Sequence, residues 1–146
     1  MKYVNIGSAK AAVLEYRGQN YCLLYNGFAM FEMIDTLGKD FIANMSKNDA
    51  ESINNLIEGI KILSDQGEAA RRAVGLDPAP VFKDAEVIDP VFMGGGALLD
   101  LKNGCINAIN LGNMREVTNE DEEIDLGLLE LQKKRKQPKL STSIQE

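Results

Sequence analysis

Two hydrophobic patterns follow each other at the start of the chain. Apolar and aromatic side chains fill the run from Val13 to Tyr16 and return over residues 21–25, and the polar residues 17–20 lie between them. Two such runs joined by a short link that contains glycine predict a β-hairpin. Because a two-stranded hairpin alone is only marginally stable in water, a helix must cover one of its faces. Residues 1–10 have a weak pattern and are expected to form an extended or frayed arm.

A short amphipathic helix is predicted directly after the hairpin. Asn26 is a suitable N-cap, and Gly38 ends the pattern because glycine adopts the left-handed conformation without steric cost. Between them, apolar side chains recur at helical spacing, which predicts packing against the hairpin. This stripe consists of Met30, Met33, Ile34 and Leu37. Phe28 and Phe31 widen the apolar face, and we favour core packing over a binding surface for it.

A long helix is predicted over residues 47–65. Residues 46–49 resemble a capping box with Asp in place of Glu, and apolar residues follow them at helical spacing. Gly67 is a point of interruption, after which the helix continues over 68–74. Gly75 is expected to end it.

Prolines and glycines mark the connectors that follow. Residues 77–80 contain two prolines, each of which disfavours helix in the residue before it. Residues 81–89 fit a short helix and a strand equally well. The three glycines at 94–96 lack the Lys-Ser or Lys-Thr of a phosphate-binding loop, so we interpret them as a hinge or as a helix entry with a glycine N-cap.

A further helix is predicted over residues 97–111, with Gly112 as its stop. Gly104 inside this helix costs about 1 kcal/mol relative to alanine, which predicts that another backbone approaches closely there. The elements together predict an α+β fold that is mostly helical. Its N-terminal β-hairpin is packed by three to four helices.

Composition narrows the chemistry that the chain can perform. The chain of 146 residues has the length of one domain, and it contains no histidine and only two cysteines, Cys22 and Cys105. It therefore lacks the commonest general base and transition-metal ligand, and the cysteines do not form a Cys-x-x-Cys pair. We assign no catalytic residue, no metal site and no cofactor, and we expect a protein that is not an enzyme.

Charge and hydropathy limit the classes of partner that the protein is expected to bind. The formal net charge is −6, whereas affinity for nucleic acid rests on clustered Lys and Arg, so no nucleic-acid partner is expected. No apolar run approaches the roughly 18 residues that span a bilayer, and the first residues do not resemble a signal peptide. We expect a cytosolic protein without a membrane partner.

The composition changes after residue 112. Residues 1–112 are predicted to form the globular domain, and residues 113–146 a charged C-terminal helix with a flexible, disordered tail. Acidic residues at 120–123 and basic residues at 133–136 complement the dipole of such a helix. Its apolar stripe could dock on the chain's own core or bind a partner, and the sequence leaves both open. The candidate partner-binding residues are Ile124, Leu128, Leu131, Lys133 and Lys134.

Several segments resemble tail assembly chaperones of long-tailed bacteriophages and related prophages. The hairpin residues 16–21 and the capped helix 26–38 are similar to the N-terminal module of that family. The helix end at 109–112 and the closing segment 122–134 also resemble its members. Together these pieces cover about half of the chain, and their order carries the resemblance. Residues 75–96 have no counterpart in it.

The resemblance implies a chaperone of viral tail assembly. Such a protein binds the tape measure protein, keeps its long hydrophobic helices soluble and helps to recruit the tail tube protein. It would act in the host cytoplasm during assembly and be absent from the mature virion. A homo-oligomer is a further expected form of the protein. The family often has a longer form made by ribosomal frameshifting, and the codons of Lys133 and Lys134 are compatible with a slippery run.

Two other classes remain as alternatives to the chaperone. One is a structural virion component, such as a head-tail connector or a tube-associated subunit. The other is a small cytosolic enzyme or ligand-binding domain, which the absence of histidine disfavours.

Overall fold

One four-stranded sheet and four helices make up the described part of the chain. The computed structural model describes residues 1–47, 49–84 and 94–124. In chain order the elements are β1 (Lys2–Ile6), β2 (Ala9–Tyr16), β3 (Gln19–Leu23), α1 (Gly27–Leu37), α2 (Phe41–Met45), α3 (Ala50–Ala73), α4 (Gly95–Gly112) and β4 (Glu122–Glu123). The sheet order is β3-β2-β1-β4, with β4 parallel to β1 and the other pairs antiparallel. The predicted α+β class is confirmed.

The predicted hairpin is present as β2 and β3. Arg17 and Gly18 connect the strands with φ values of 53° and 78°. Two positive φ values in a two-residue link define a type I′ turn, whose twist matches that of the strands. The turn pairs Tyr16 with Gln19 and Val13 with Cys22.

The N-terminal residues are extended, which was one of the two expected forms, but they are neither frayed nor a separate arm. Residues 2–6 form β1, which pairs with β2 through a turn in which Gly7 has a φ of 60°. Tyr3, Val4 and Ile6 are all buried. A strand that is covered on both faces loses the alternation of apolar and polar residues, so its pattern is weak in the sequence.

Apolar side chains pack on both faces of the sheet. On one face, Leu14 and Leu23 belong to the large core that also contains buried residues of all four helices. On the other, Val4, Ala11 and Cys22 form a smaller cluster against Ala79, with Ala70 of α3 beside it. The sheet is therefore covered on both sides, and α3 reaches the second side near its C-terminal end.

Helix α1 packs mainly on α3 rather than on the hairpin, which corrects the expected contact. Asn26 caps α1 as predicted, since its side-chain oxygen accepts a hydrogen bond of 2.9 Å from the Ala29 amide. The Asn26 amide group also donates to the Gln66 side chain on α3, at 3.1 Å. Met33 is fully buried, and its methyl group lies beside Gly59 of α3. These contacts hold the N-terminal end and the middle of α1 against α3.

Helix α3 begins later than predicted and is one continuous helix, which ends close to the expected stop at Gly75. Its capping box joins Asp49 to Ser52, whereas Ser46 ends α2, the short helix that the sequence analysis does not predict. The helix continues through Gly67 without interruption to Ala73. Gly67 lies directly against the backbone of Cys22 on β3. Because glycine has no side chain, α3 can approach β3 closely at this position, and the residue does not end the helix.

The connector after α3 is irregular, as predicted for 77–80. Arg71 is buried, and its Nε donates a hydrogen bond of 2.7 Å to the Asp77 carbonyl oxygen. Phe82 is buried too, and its ring stacks on Tyr21 with centroids 3.9 Å apart. In the segment 81–89, for which helix and strand were equally expected, residues 81–83 form neither. Residues 85–93 lie outside the described residues.

Helix α4 confirms one of the two interpretations of the triple glycine. Gly94 is the N-cap of the helix, which is a helix entry. The expected close backbone approach at Gly104 is wrong, because its neighbours are the side chains of Leu14 and Leu23. The close approach occurs instead at Gly112, against the Tyr25 carbonyl oxygen.

The acidic segment expected to begin a C-terminal helix is extended. Glu122 and Glu123 form β4, and the Glu122 amide donates to the Met1 carbonyl oxygen at 2.9 Å. Just before it, the covered carboxylate of Asp121 accepts hydrogen bonds from the Arg115 guanidinium and the Thr118 amide, both at 2.9 Å. This carboxylate holds the chain between α4 and β4 in place.

The Asp121 carboxylate gives the fold a pH dependence. The hydrogen bonds from Arg115 and then from the Thr118 amide lower the pKa of Asp121 to about 2. A lowered folded-state pKa stabilises the protein above the unfolded value of about 3.9, and this stabilisation is lost as the pH falls toward 2. We expect Asp121→Asn to reduce the free energy of unfolding above about pH 4 and to lose this difference near pH 2. Urea unfolding across this range measures it, and a difference that does not change with pH would contradict the assignment.

Candidate protein-binding surface

An exposed apolar face on α1 is the clearest candidate site in the described residues. Phe28 and Phe31 leave 77% and 65% of their surface exposed, and Ile34 leaves 36%. At 100° per residue, the two phenylalanines lie about 140° and 160° around the helix from buried Met33, so they point away from the core. The expectation that they widen the packed face is wrong. We call Phe28, Phe31 and Ile34, with the neighbouring Glu32 and Asp35, the α1 surface.

The packing of α1 holds this surface in one orientation. The N-terminal end is fixed by the Asn26 cap and its bond to Gln66. At the C-terminal end the Gly38 amide closes the last turn of the helix by donating to the Ile34 carbonyl oxygen at 2.9 Å. Met33 is buried against α3 between these ends. A binding surface on a rigid helix loses less conformational entropy on association than one on a loop.

The charge on and around the α1 surface is acidic. Helix α1 contains Glu32 and Asp35 and no Lys or Arg. Glu32 also faces Asp65 on α3: burial first, and then the negative charge of Glu32, raise the pKa of the Asp65 carboxyl group. The Lys61 cation opposes this by lowering the Asp65 pKa, and Glu68 adds a further rise. A partner with apolar and cationic groups would match this surface.

Two apolar grooves lie elsewhere on the described residues. One, of about 370 Å³, lies between the start of α3 and α4 and is lined by Ile53, Leu56 and Leu98. Its charged lining residues are Lys47, Asp49 and Lys102. The other, of about 830 Å³, lies at the end of α4. Its lining includes Leu24, Tyr25, Leu111, Met114, Val117, Lys10, Arg115 and Glu116. Neither groove shares the acidic character of the α1 surface.

Among the described residues, no group of three or more Cys, Asp or Glu side chains is arranged to hold a metal ion. Cys22 and Cys105 are free thiols without solvent exposure. Burial raises the pKa of Cys22 to about 11 and raises that of Cys105 further, so neither thiol is a thiolate at neutral pH.

The predicted C-terminal site residues are only partly described. Ile124 is half-buried: its amide donates to the Tyr3 carbonyl oxygen at 2.7 Å, and its side chain packs beside Val4 and Ile6. Leu128, Leu131, Lys133 and Lys134 lie outside the described residues. Ile124 thus contacts the chain's own sheet, and the other four remain sequence-based candidates.

A signal for the α1 surface was present in the sequence. The apolar positions of α1 are 28, 29, 30, 31, 33, 34 and 37, which cover most of the circumference of an 11-residue helix. A helix that packs on one side buries only about a third of its circumference. The apolar excess therefore had to face solvent or a partner, and Phe28 and Phe31 are the residues that do so.

Fold and surface together define an α+β protein with a rigid, exposed aromatic helix face, an arrangement suited to binding another protein. No protein-family model matches the chain, and neither a curated protein nor a solved structure does so. Among the described residues, no helix combines the length and the hydropathy that crossing a membrane requires.

Proposed function

We propose that this protein is a tail assembly chaperone that binds the tape measure protein of a long-tailed phage through the α1 surface. Two independent lines support the proposal. The sequence of residues 16–38 resembles the N-terminal module of such chaperones, and this segment forms a hairpin followed by a capped helix. The observation that carries the binding role is the exposure of Phe28 and Phe31 on a helix that is otherwise well packed.

The size of the α1 surface suits reversible capture. At exposures of 77% and 65%, the two phenylalanine rings present roughly 300 Å² of apolar surface, given that an aromatic side chain buries about 150–250 Å². A stable interface buries about 800 Å² per partner. Burying each ring contributes about 1.5–3 kcal/mol, so several chaperone copies could hold a long helix and later leave it.

The proposal places the protein in the host cytoplasm while tails are built. There it shields apolar segments of the tape measure protein until the tail tube protein is recruited. It is then lost from the particle. This sequence of events needs reversible binding and no catalysis, which fits an apolar surface of modest area.

Co-expression tests this function. The tape measure protein of the same genome is produced alone and together with this chain, and its soluble fraction is measured after cell lysis. We expect a several-fold increase with the chain present, and an unchanged soluble fraction would overturn the proposal. Purified particles are analysed by mass spectrometry in parallel: a stoichiometric amount of this chain in finished tails would favour a structural virion component instead.

A further inference from the structure

Arg71 is a buried cation in the last turn of α3. Only 5% of its surface is exposed, and its Nε donates a hydrogen bond of 2.7 Å to the Asp77 carbonyl oxygen. Among the described residues, no carboxylate lies within ion-pair distance of it. A guanidinium group does not lose its proton in proteins, and a buried charge is unfavourable unless it is paired. Arg71 therefore lacks the counter-charge that its burial requires.

The neighbouring arginine does have a carboxylate partner. Arg72 exposes 69% of its side chain, yet its Nε and Nη2 each donate a hydrogen bond of 2.9 Å to the Glu68 carboxylate. Water screens such an exposed pair and makes it weak, whereas a covered guanidinium group gains more from a carboxylate. Of the two adjacent arginines, the buried one is thus the one without a counter-charge in the described part of the chain.

The end of the Arg71 guanidinium group is open to a ligand. Apart from Nε, none of its nitrogens has a hydrogen-bond partner among the described residues. In this part of the chain the fully enclosed side-chain nitrogen without a partner is Asn55 Nδ2, so Nη1 and Nη2 of Arg71 each keep a narrow contact with solvent. The edge formed by these two nitrogens presents two parallel N–H groups, which match the two oxygens of a carboxylate.

The backbone around Arg71 holds the side chain ready for a ligand. Helix α3 ends in a Schellman motif, in which the Leu76 amide donates to the Arg71 carbonyl oxygen at 2.8 Å and Gly75 has a φ of 80°. Asp77, whose carbonyl oxygen binds Nε, is followed by Pro78, and the proline ring fixes the φ of that residue. A binding group that is already held in place loses less conformational entropy when its ligand binds.

The Cys22 thiol near Arg71 does not supply the missing charge. Burial raises the pKa of this thiol, and the positive charge of Arg71 lowers it by a smaller amount. The thiol is therefore neutral at pH 7. Arg71 and Cys22 remain a cation beside a neutral group.

We propose that Arg71 is a carboxylate-binding site, which holds the two carboxylate oxygens through Nη1 and Nη2. A carboxylate fits the narrow opening better than a phosphate because it is planar and singly charged. A dianion is harder to dehydrate, and the net charge of −6 repels it more strongly. The carboxylate belongs to a protein partner or to a small organic acid. The site is at the C-terminal end of α3 and does not involve the α1 surface, so it is independent of the proposed function.

An NMR titration of the full chain with sodium acetate tests this site. The Nε–H signals of Arg71 and Arg72 are followed in isotope-enriched protein, and acetate replaces chloride at constant ionic strength so that screening does not change. We expect the Arg71 signal to shift along a saturation curve and by several-fold more than the Arg72 signal, because Glu68 already occupies Arg72. Small shifts of both signals that rise in parallel without saturation would overturn the proposal.

Two lysine variants separate carboxylate binding from a purely structural role of Arg71. Arg71→Lys keeps the charge and a donor for the Asp77 carbonyl oxygen but lacks the planar pair of N–H groups, whereas Arg72→Lys changes the exposed neighbour. A ligand that binds the folded state raises its stability, so acetate should raise the urea midpoint of the wild-type chain and of Arg72→Lys but not of Arg71→Lys. An equal rise in all three proteins would contradict the site. If Arg71→Lys does not fold, the NMR titration of the wild-type chain still decides.

Model compounds identify the source of the carboxylate. N-acetylalanine represents the C-terminus of a protein chain, and N-acetylglutamate amide represents an acidic side chain. Saturation of the Arg71 signal by either one at a lower concentration than acetate would support a protein partner, and equal concentrations for all three would support a small organic acid. Saturation by inorganic phosphate without a response to the three carboxylates would contradict the proposal.

Discussion

Gly67→Ala is expected to lower the free energy of unfolding by about 3 kcal/mol. A Cβ atom at Gly67 would lie 1.9 Å from the carbonyl oxygen of Cys22 and 2.7 Å from its carbonyl carbon. Both are backbone atoms of β3, which is held in the sheet by its pairing with β2, so neither can move aside as a side-chain end would. Overpacking of this kind costs about 1–3 kcal/mol or more, and the gain of about 1 kcal/mol in helix propensity does not offset it.

Gly96→Ala is the matched control for this prediction. Gly96 lies in the first turn of α4, and an added Cβ would meet no atom within 4 Å. Since the same substitution here gains helix propensity without a clash, we expect no loss of stability and a gain of up to about 1 kcal/mol. Urea unfolding of both variants measures the difference. Equal stability of the two would contradict the close packing of α3 on β3.

Local signals in the sequence predicted local structure correctly. The turn within residues 17–20 and the cap at Asn26 were predicted because each depends on residues within four positions of itself, although the turn is only the two residues Arg17 and Gly18. The N-cap at Gly94 was one of two alternatives, and the helix begins at Gly95, two residues earlier than predicted. Turn and cap chemistry is decided by the side chain and the nearest amides, so it can be inferred without the tertiary fold.

Contacts between distant residues could not be predicted in this way. Strand β1 was missed because its burial on both faces depends on elements far along the chain, and β4 because a two-residue parallel pairing has no pattern of its own. The close approaches at Gly67 and Gly112 were missed for the same reason, and one was assigned to Gly104 instead. The residues next to a glycine in the sequence do not indicate which backbone segment will lie against it in the fold.

The sequence predicted the apolar residues of the candidate site but not the direction in which they face. Phe28 and Phe31 were identified as part of an apolar face, but the side of α1 that faces the core follows from its packing on α3. The C-terminal candidates were chosen from the charge pattern alone. Of these, Ile124 contacts the chain's own sheet, and the other four lie outside the described residues.

Phe28→Ser with Phe31→Ser is expected to remove partner binding while leaving the fold intact. Both rings are mainly exposed, and serine and phenylalanine have similar helix propensities, so the free energy of unfolding should change by less than about 0.5 kcal/mol. Truncating an aromatic residue at the centre of an interface costs about 2 kcal/mol or more. The affinity for the tape measure protein should therefore fall at least about tenfold.

The control variant is Leu99→Ser with Met114→Ser. These side chains are 57% and 86% exposed, comparable to the two phenylalanines. Leu99 lies near the start of α4 and Met114 two residues beyond its end, so neither is on α1. The control removes a similar amount of exposed apolar surface, so it separates a specific effect of the α1 surface from a general loss of surface hydropathy.

The most direct test of the account is the soluble fraction of the tape measure protein when it is co-expressed with each of these variants. We predict that the wild-type chain and the Leu99→Ser, Met114→Ser control keep it soluble, and that the Phe28→Ser, Phe31→Ser variant leaves it as insoluble as when it is expressed alone. Full solubility with the Phe28→Ser, Phe31→Ser variant, which retains the wild-type stability, would contradict the role of the α1 surface.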